Sequence, residues 1–446
     1  MILLNPVVIS VVFMTILCLL KFNIILAIII SSILTGFLVG MPIQTAMSYF
    51  IYGMHRHNNI ALSYILLGAL AYGIQTTGLA AKFANLLDRL FSKSGNWFII
   101  ILALIASLSQ NVIPIHIAFI PILVPPLLSM MNKMQIDRRS AASALTFGLK
   151  APYILIPAGF GLIFHNILAT NITNNSAGEL AVTASDIWPQ MTWPFAGMVI
   201  GLFISVFITY RKPRVYEDRQ IAGLTEDDGK GFTLKHWGAL LGAIATFIVQ
   251  ILAGIFTEGS PLWALSVGAV VGLIIMIATG AIPYKKMDET IKGGIGLMGF
   301  IAFIMLTAAG YAEIIRESGY ITVLVDSTME IIGGNLILAM IAMQLIGLLI
   351  TMGIGTSFGT IPIIATVFVP LCIALGLSPA ATILMIATAG ATGDAGMPAS
   401  DTALGPTAGL AADGQHDHIW DTCIPTFFHY NIPLKVLGVV GALILS

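Results

Sequence analysis

The feature that most constrains this chain is a succession of apolar runs long enough to cross a lipid bilayer. A transmembrane helix needs about 20 apolar residues to span about 30 Å of hydrocarbon. Because 57% of the 446 residues are hydrophobic and only 9% are charged, the composition lies outside the soluble globular range. The sequence therefore predicts an all-α polytopic membrane protein. The continuous runs lie at 3–20, 22–40, 60–80, 190–209, 237–256, 262–281, 295–315 and 424–444, and longer interrupted runs lie at 96–131, 140–168, 335–376 and 379–412.

The distribution of positive charge predicts which loops face the cytoplasm. Lys and Arg concentrate in the loops at 82–93, 133–139, 211–235 and 285–292, whereas 170–190 contains none. The positive-inside rule places the basic loops in the cytoplasm, and we expect the protein in a bacterial inner membrane. Since two basic loops flank the run at 96–131, that run must enter and leave the membrane on one side.

Two of the interrupted runs carry polar and helix-breaking residues at their centres. The centre of 96–131 reads SLSQNVIPIH (107–116), and the centre of 335–376 reads TMGIGTSFGTIP (351–362). Non-helical backbone at membrane depth is tolerated only where it is buried in protein or lines a cavity. We therefore expect two re-entrant hairpins with polar tips. Five predicted crossings separate the two hairpins. Because this number is odd, the second half has the opposite orientation in the membrane, as in the inverted-topology repeats of secondary transporters.

Each predicted hairpin is followed by a run that Pro and Gly interrupt. The run at 140–168 contains Lys150 with Pro152 and Pro157, and the run at 379–412 contains GATGDAGMPASDTALGP (390–406). When the second half of the chain is aligned with the first at an offset of 244 residues, Lys150 aligns with Asp394. These runs predict two broken helices, and the whole chain about ten transmembrane helices plus two re-entrant hairpins. The chain divides into an N-terminal half (1–209), a cytoplasmic linker (210–236) and a C-terminal half (237–446).

The carboxylates of Asp394 and Asp401 are candidates for a cation site, with sodium as the metal ion. An aspartate at the bilayer centre costs about 2.5–3.5 kcal/mol on insertion scales, so it persists where it lines a cavity. Sodium prefers hard oxygen ligands, by the logic that applies to calcium. An ordinary loop outside the membrane, which Gly and Pro also favour, is the alternative. The candidate cation ligands are Thr392, Asp394, Ser400, Asp401 and Thr402.

The hairpin tips and Lys150 are candidates for binding the transported substrate. A half-helix that starts after a tip directs its backbone N–H groups and positive dipole end toward an anion. The Lys150 ammonium either meets a substrate carboxylate or replaces a second cation. The tip residues are also consistent with simple helix caps, and His116 with a satisfied buried histidine rather than a proton carrier or substrate contact. The candidates are Gln110, Asn111, His116, Lys150, Gly355, Thr356 and Ser357.

Other kinds of chemistry have weaker support in the sequence. His416 and His418 stand among acidic residues, but alternate histidines beside a helix start more often cap it than bind a metal. The three cysteines lack ligand spacing. GIGLMG (294–299) matches the G-x-G-x-x-G pattern of dinucleotide-binding sites. Such a site requires a preceding strand, whereas this segment opens a membrane helix, so we do not expect a dinucleotide site. A net charge of −1 argues against nucleic acid. The apolar segments contain no set of nucleophile, base and oxyanion-stabilising residues that would indicate an enzyme. A channel is built from rings of similar residues, whereas the sites at Lys150 and Asp394 carry opposite charges.

Two stretches resemble the C-type bacterial sodium/proton antiporters of the ion transporter superfamily. They are GTSFGT (355–360) and the segment from Gly393 to Thr402, which continues to DHIWDT (417–422). Within that family the chain is most similar to a subgroup assigned to amino acid transport, in some members histidine, that shares the GDAG start and the GQHDH loop (414–418). The resemblance implies a transporter scaffold, hairpin-tip binding sites and cation coupling. It places Asp394, Ser400, Asp401 and Thr402 in the ion or substrate site.

Antiporter members of the family carry a second Thr after the Ser-Asp-Thr triplet, where this chain has Ala403. We therefore expect a secondary transporter that moves a small amino acid, histidine among the candidates, by alternating access. Its coupling ion is Na+ or H+, and no cofactor is expected. A sodium/proton antiporter without organic substrate is the alternative. The expected partners are the small-molecule or ion substrate and membrane lipid, and the sequence leaves a homodimer open.

Overall fold

The computed structural model describes residues 4–20, 22–56, 58–79, 82, 95–111, 119–157, 160–219, 231–256, 263–324, 327 and 335–446. Every regular element within these ranges is helical. The all-α prediction is therefore confirmed for the described residues.

Most helices follow the predicted apolar runs, whereas the helices Ile43–Arg56 and Ala184–Gln190 lie between the runs. The linker joins two groups of helices. Before the linker they are α1 (Pro6–Leu19), α2 (Ile24–Leu38), α3 (Ile43–Arg56), α4 (Asn58–Thr76), α5 (Gly95–Asn111), α6 (Phe119–Lys133), α7 (Arg138–Leu155), α8 (Phe160–Asn175), α9 (Ala184–Gln190) and α10 (Thr192–Ile204), which a π-helical turn extends over Ser205–Thr209. After it they are α11 (Leu234–Phe256), α12 (Trp263–Ala278), α13 (Met287–Glu317), α14 (Leu336–Ile354), α15 (Ser357–Ala374), α16 (Pro379–Ala391), α17 (Asp401–Leu410) and α18 (His418–Leu445), which contains two π-helical segments.

Polar caps explain where several of these apolar helices begin. The side chains of Asn5, Asn23 and Asn335 accept hydrogen bonds from backbone N–H groups in the first turns of α1, α2 and α14. Ser378 does the same for α16, whose first residue is Pro379. These caps satisfy donors that have no partner within the helix.

Four described helices are long and apolar enough to cross a membrane, judged by length and composition: Ala184–Thr209, Tyr284–Glu317, Leu336–Ile354 and His418–Leu445. Two bent pairs raise the number to six if each pair is one span. They join Ile43–Arg56 with Ala61–Thr76 at 46°, and Ser357–Ala365 with Val367–Ala374 at 51°. The expected total of about ten crossings, the inverted repeat and the division into halves stay predictions.

The predicted hairpins and broken helices correspond to pairs of helices in the structure. α5 and α6 cover the predicted arms of the hairpin at 96–131, and its tip at 112–118 lies outside the described residues. The re-entrant path of both hairpins stays a prediction. α14 and α15 are the arms of the hairpin at 335–376 and meet at Gly355 and Thr356. The run at 140–168 breaks after Leu155, and the run at 379–412 breaks after Ala391.

Helix α7 lies at the centre of the fold because small residues allow its neighbours to approach closely. Its residues 140–154 are all buried. A Cβ atom on Gly148 would overlap Ala106 of α5, so this crossing requires glycine. α17 packs against α6 and α7, and α15 packs against α8 and α16. The two broken helices and the second hairpin are therefore in mutual contact.

Candidate functional site

The break between α16 and α17 is a buried, non-helical segment from Thr392 to Ser400. Gly393 and Gly396 have φ angles of +99° and +85°, a region that favours glycine over residues with a Cβ atom. The segment is buried in protein on all sides, unlike an ordinary solvent-exposed loop.

Hydrogen bonds from side chains hold the backbone of this break. The Gly393 N–H donates to Oδ1 of Asn431 at 2.9 Å, and Nδ2 of Asn431 donates to the Ala395 carbonyl at 2.9 Å. The hydroxyls of Ser400 and Thr402 donate to the Asp394 carbonyl at 2.5 and 3.0 Å. These side chains therefore satisfy part of the hydrogen bonding that the unwound backbone cannot provide for itself.

A buried ion pair joins the two broken helices. Nζ of Lys150, in α7, forms an ion pair with Oδ1 of Asp394, in the break after α16. Lys150 is 0% exposed and Asp394 is 5% exposed. An isolated buried charge costs several kcal/mol, and a partner of opposite sign offsets that cost. The group that faces Oδ1 of Asp394 in this structure is therefore the amino group of Lys150.

The second carboxylate oxygen of Asp394 accepts two further hydrogen bonds. Tyr153 donates to Oδ2 at 3.1 Å and Ser357 donates to it at 3.0 Å, and their hydroxyls lie 3.2 Å apart. Tyr153 follows Lys150 by three residues, so both side chains lie on one face of α7. Ser357 is the first residue of α15 and brings the second hairpin tip to the same carboxylate.

The turn of the second hairpin depends on Gly355 and Thr356. Gly355 ends α14 with a φ angle of +85°, and Oγ1 of Thr356 accepts a hydrogen bond from the Phe358 N–H at 3.3 Å. A Cβ atom on Gly355 would lie 3.6 Å from the side chain of Met397 in the break. The tip therefore lies beside the break, with Met397 next to Gly355.

The predicted cation ligands divide between different contacts. Asp394, Ser400 and Thr402 lie together, as described above. The carboxylate of Asp401 is half-buried and accepts a hydrogen bond from Tyr64 of α4 at 2.7 Å. Thr392 donates to the Ala389 carbonyl at 3.0 Å and so caps α16. A site in which all five ligands hold one ion stays a prediction.

The predicted substrate residues divide in the same way. Lys150 and Ser357 both contact Asp394, and Gly355 and Thr356 form the adjacent turn. Gln110 and Asn111 end α5, but their side chains lie outside the described part of the chain, as does the whole of His116. Their binding roles therefore stay predictions.

Several residues around the site have no counterpart among the predicted ligands. Tyr153 was detectable, because it lies one helical turn beyond Lys150. Tyr64 and Asn431 are far from the motifs in sequence, and only the tertiary fold brings them close. His165 is fully buried, and its Nε2 lies 2.7 Å from the carbonyl of Ile154, near the C-terminal end of α7.

Charged residues connect the outer ends of the broken helices with the linker. Arg138, fully buried at the start of α7, donates two hydrogen bonds of 2.6 Å to Asp413 and one of 3.0 Å to the Leu410 carbonyl. Its guanidinium lies 4.3 Å from the ring of Tyr216 in the linker. Burial raises the pKa of Asp413, but hydrogen bonds and charge from Arg138, with Gln415, outweigh it and lower that pKa overall. The first part of the predicted linker therefore packs onto the helices.

Residues 144–439 match the Na+/H+ antiporter family, and residues 5–91 match a Na+-H+ antiporter family. An uncharacterized membrane protein of Vibrio parahaemolyticus is 43% identical and covers 99% of this chain and 100% of its own. One of Haemophilus influenzae is 41% identical and covers 99% of both. A Bacillus subtilis protein named "Putative amino acid transporter YuiF" is 44% identical and covers 88% of this chain and 89% of its own.

Two solved structures overlap most of the chain. The Alcanivorax borkumensis YdaH transporter has a TM-score of 0.46 at 14% identity and covers 89% of this chain and 88% of its own. Neisseria gonorrhoeae MtrF has a TM-score of 0.41 at 16% identity, with coverage of 88% and 84%. Because both TM-scores are below 0.5, neither likeness supports a conclusion about function. The match across residues 144–439, however, covers about two thirds of the chain and confirms the resemblance described above: the chain is a membrane transporter that belongs to the Na+/H+ antiporter family.

Proposed function

We propose that the protein is an inner-membrane secondary transporter that couples the movement of a small amino acid to Na+ or H+ by alternating access. The observation that carries the proposal is the buried pair of Lys150 and Asp394 where two broken helices and a hairpin tip meet. The relative named as an amino acid transporter supports the class of cargo. The ion and the amino acid, histidine included, belong to the proposal.

The ion pair provides a reason for coupling. It is neutral overall, so a cation that binds Asp394 leaves the buried Lys150 ammonium without a partner. Two like charges 4 Å apart repel by about 4 kcal/mol at an effective dielectric constant of about 20. A carboxylate that arrives with the cation and pairs with Lys150 removes this cost. Cation and amino acid then bind favourably together and poorly alone.

The hydroxyl groups around Asp394 suit this exchange. Those of Ser357 and Tyr153 donate to the carboxylate in the present state. When a cation replaces the ammonium, these oxygens can turn their lone pairs toward it. Ser400 and Thr402 already lie against the same residue and are the next ligands available. Alternating access would expose this set to each side in turn.

The family match favours a second candidate, sodium/proton exchange without an organic substrate. The same ion pair serves it through a different neutralising step. Lys150 would release a proton when sodium binds Asp394, and the site would again keep its net charge. The two functions therefore differ in what neutralises Lys150, a substrate carboxylate or the loss of a proton.

A thermal-shift screen of the purified protein separates these functions. A ligand at 100 times its dissociation constant raises stability by about 2.7 kcal/mol. We expect one or a few amino acids to raise the unfolding temperature in the presence of sodium and not in its absence. A shift with sodium alone, and none with any of the twenty amino acids, would establish the exchanger instead.

A further inference from the structure

His416 and His418, the pair that suggests a metal motif in the sequence, are linked by hydroxyl groups instead. Among the residues that the structure describes, no group of three or more His, Cys, Asp and Glu side chains is placed to hold a metal ion. Nε2 of His418 lies 2.8 Å from the carbonyl oxygen of Pro398, in the break between α16 and α17. Nδ1 of the same ring lies 2.7 Å from Oγ1 of Thr407. His418 therefore connects the break to α17.

The chain of polar groups continues from Thr407 to the second histidine. Oγ1 of Thr407 is placed to donate either to Oγ1 of Thr422 at 3.0 Å or to the Ala403 carbonyl at 2.9 Å. Oγ1 of Thr422 lies 2.6 Å from Nε2 of His416. Thr422 is fully buried and His416 is 8% exposed. Nδ1 of His416 is also buried, and it has no hydrogen-bond partner among the described residues. The result is an unbroken path from one imidazole to the other, with one free ring nitrogen at its outer end.

Hydrogen-bond chemistry allows one proton to move along this path. The Pro398 carbonyl can only accept, so Nε2 of His418 carries a proton in every state. When His418 is doubly protonated, its Nδ1–H donates to Thr407, Thr407 donates to Thr422, and Thr422 donates to Nε2 of His416. The structure allows the direction from Thr407 to Thr422.

Shifting each bridging proton by one position reverses the path. The Nδ1 proton of His418 passes to Thr407, the Thr407 proton passes to Thr422, and the Thr422 proton passes to Nε2 of His416. His418 becomes neutral and His416 becomes the imidazolium, whose charge is favoured by Asp421. Each hydroxyl gains and loses one proton, so a single charge moves between the rings.

We propose that His416, Thr422, Thr407 and His418 form a proton relay between the charged loop after α17 and the break that contains Asp394. A proton stored on His418 places a positive charge against the break and opposes cation binding there. The relay thus brings a proton to the edge of the site by a path distinct from the Lys150 pair. Its part in transport rests on the proposed function.

The surroundings of the two rings differ. Burial lowers the pKa of His416 to about 3, although the charge of Asp421 acts in the opposite direction. The doubly protonated form of His416 is therefore disfavoured near neutral pH. The neighbouring charged or titratable groups are Asp421, Arg138 and Arg214 around His416, and Asp417 and Cys423 around His418.

Valine substitutions in the relay test it in a transport assay. The full-length protein is placed in vesicles that contain a pH-sensitive dye, and a sodium gradient is applied with and without the amino acid that stabilises the protein in the thermal-shift screen. Thr407→Val and Thr422→Val keep side-chain shape but remove the bridging hydroxyl. We expect each to slow proton flux by about 100-fold, within the range for a positioned proton-transfer group.

The control is Thr426→Val, because the buried Thr426 hydroxyl donates to the Thr422 backbone carbonyl at 2.7 Å and lies outside the path. We expect it to transport protons at the wild-type rate. Proton flux in Thr407→Val and Thr422→Val equal to that of Thr426→Val would overturn the relay.

A second measurement does not depend on transport. In ¹⁵N-histidine NMR spectra of the wild type, the ring signals of His416 and His418 should change over the same pH interval, because they share one proton. In Thr407→Val they should change independently. Identical titrations in the two proteins would overturn the relay. Coupled titrations in a wild type that shows no proton flux, with sodium alone or with sodium and the amino acid, would leave the relay standing and overturn its part in transport.

Discussion

Lys150→Met removes the ammonium that pairs with Asp394 and keeps most of the volume of the side chain. Breaking a buried ion pair by removing one partner costs about 3–5 kcal/mol, because the remaining charge is buried alone. Both groups here are at least 95% buried, so we expect the full cost in the unfolding free energy. Asp394→Asn should cost a similar amount for the same reason.

The double variant, Lys150→Met with Asp394→Asn, removes both charges and should lose much less than the sum of the single losses. Contacting residues typically couple by about 0.5–3 kcal/mol, and this pair should reach the upper end. Unfolding of the wild type, the two single variants and the double variant in detergent gives the four free energies of this double-mutant cycle. Additive losses would refute the conclusion that the two side chains stabilise each other.

Sodium should affect the single variant differently from the wild type. With the ammonium gone, a cation can pair with Asp394 without leaving a buried lysine unpaired. We expect sodium alone to raise the unfolding temperature of Lys150→Met, whereas the wild type needs an amino acid as well. Lys435→Met is the matched control, since Lys435 is half-buried in α18 and forms no ion pair with a described residue. An equal sodium response in both variants would contradict the proposed competition.

Three further predictions concern the surroundings of the site. Ser357→Ala removes one hydrogen bond to Asp394 and should cost about 1.5–3 kcal/mol, the usual range for bonds to charged groups; denaturant unfolding measures it, and no loss would show that the bond contributes nothing. Arg138→Met leaves Asp413 buried without its partner and should lower the unfolding free energy by about 3–5 kcal/mol, and Arg139→Met, whose side chain is 36% exposed, is the control that should lose less. Burial lowers the pKa of His416 from 6.5 to about 3 in the folded protein, so its contribution to stability is complete above pH 6.5 and is lost as the pH falls toward 3. His416→Gln should therefore flatten the dependence of the unfolding free energy on pH between these values. An unchanged dependence would argue against the lowered pKa.

The sequence predicted the broken elements well because their local chemistry is decisive. Glycine, proline and small polar residues interrupt apolar runs at Gly355 and at 392–400, and the structure breaks the helices there. These residues disfavour a continuous helix wherever they lie in the fold. The position of each break could therefore be predicted without tertiary information.

The contacts within the site were harder to predict because they depend on how helices cross. The repeat offset aligned Lys150 with Asp394 as equivalent positions, but it did not indicate that the two side chains touch. Ser357 was predicted to bind substrate, whereas in this structure its hydroxyl donates to Asp394. Tyr64 reaches Asp401 across 337 residues, and no local pattern predicts such a contact.

The most direct test of the account measures sodium and amino acid fluxes together in vesicles that contain the purified protein. The amino acid is the one that stabilises the protein in the thermal-shift screen. Sodium and the amino acid are labelled with different radioactive isotopes, and both are counted in the same sample. We predict that sodium and the amino acid cross in a fixed ratio and that Asp394→Asn and Lys150→Met abolish that ratio. Amino acid flux that is independent of both sodium and the pH gradient, or a flux ratio that both variants retain, would contradict the assignment of Lys150 and Asp394 as the coupled pair.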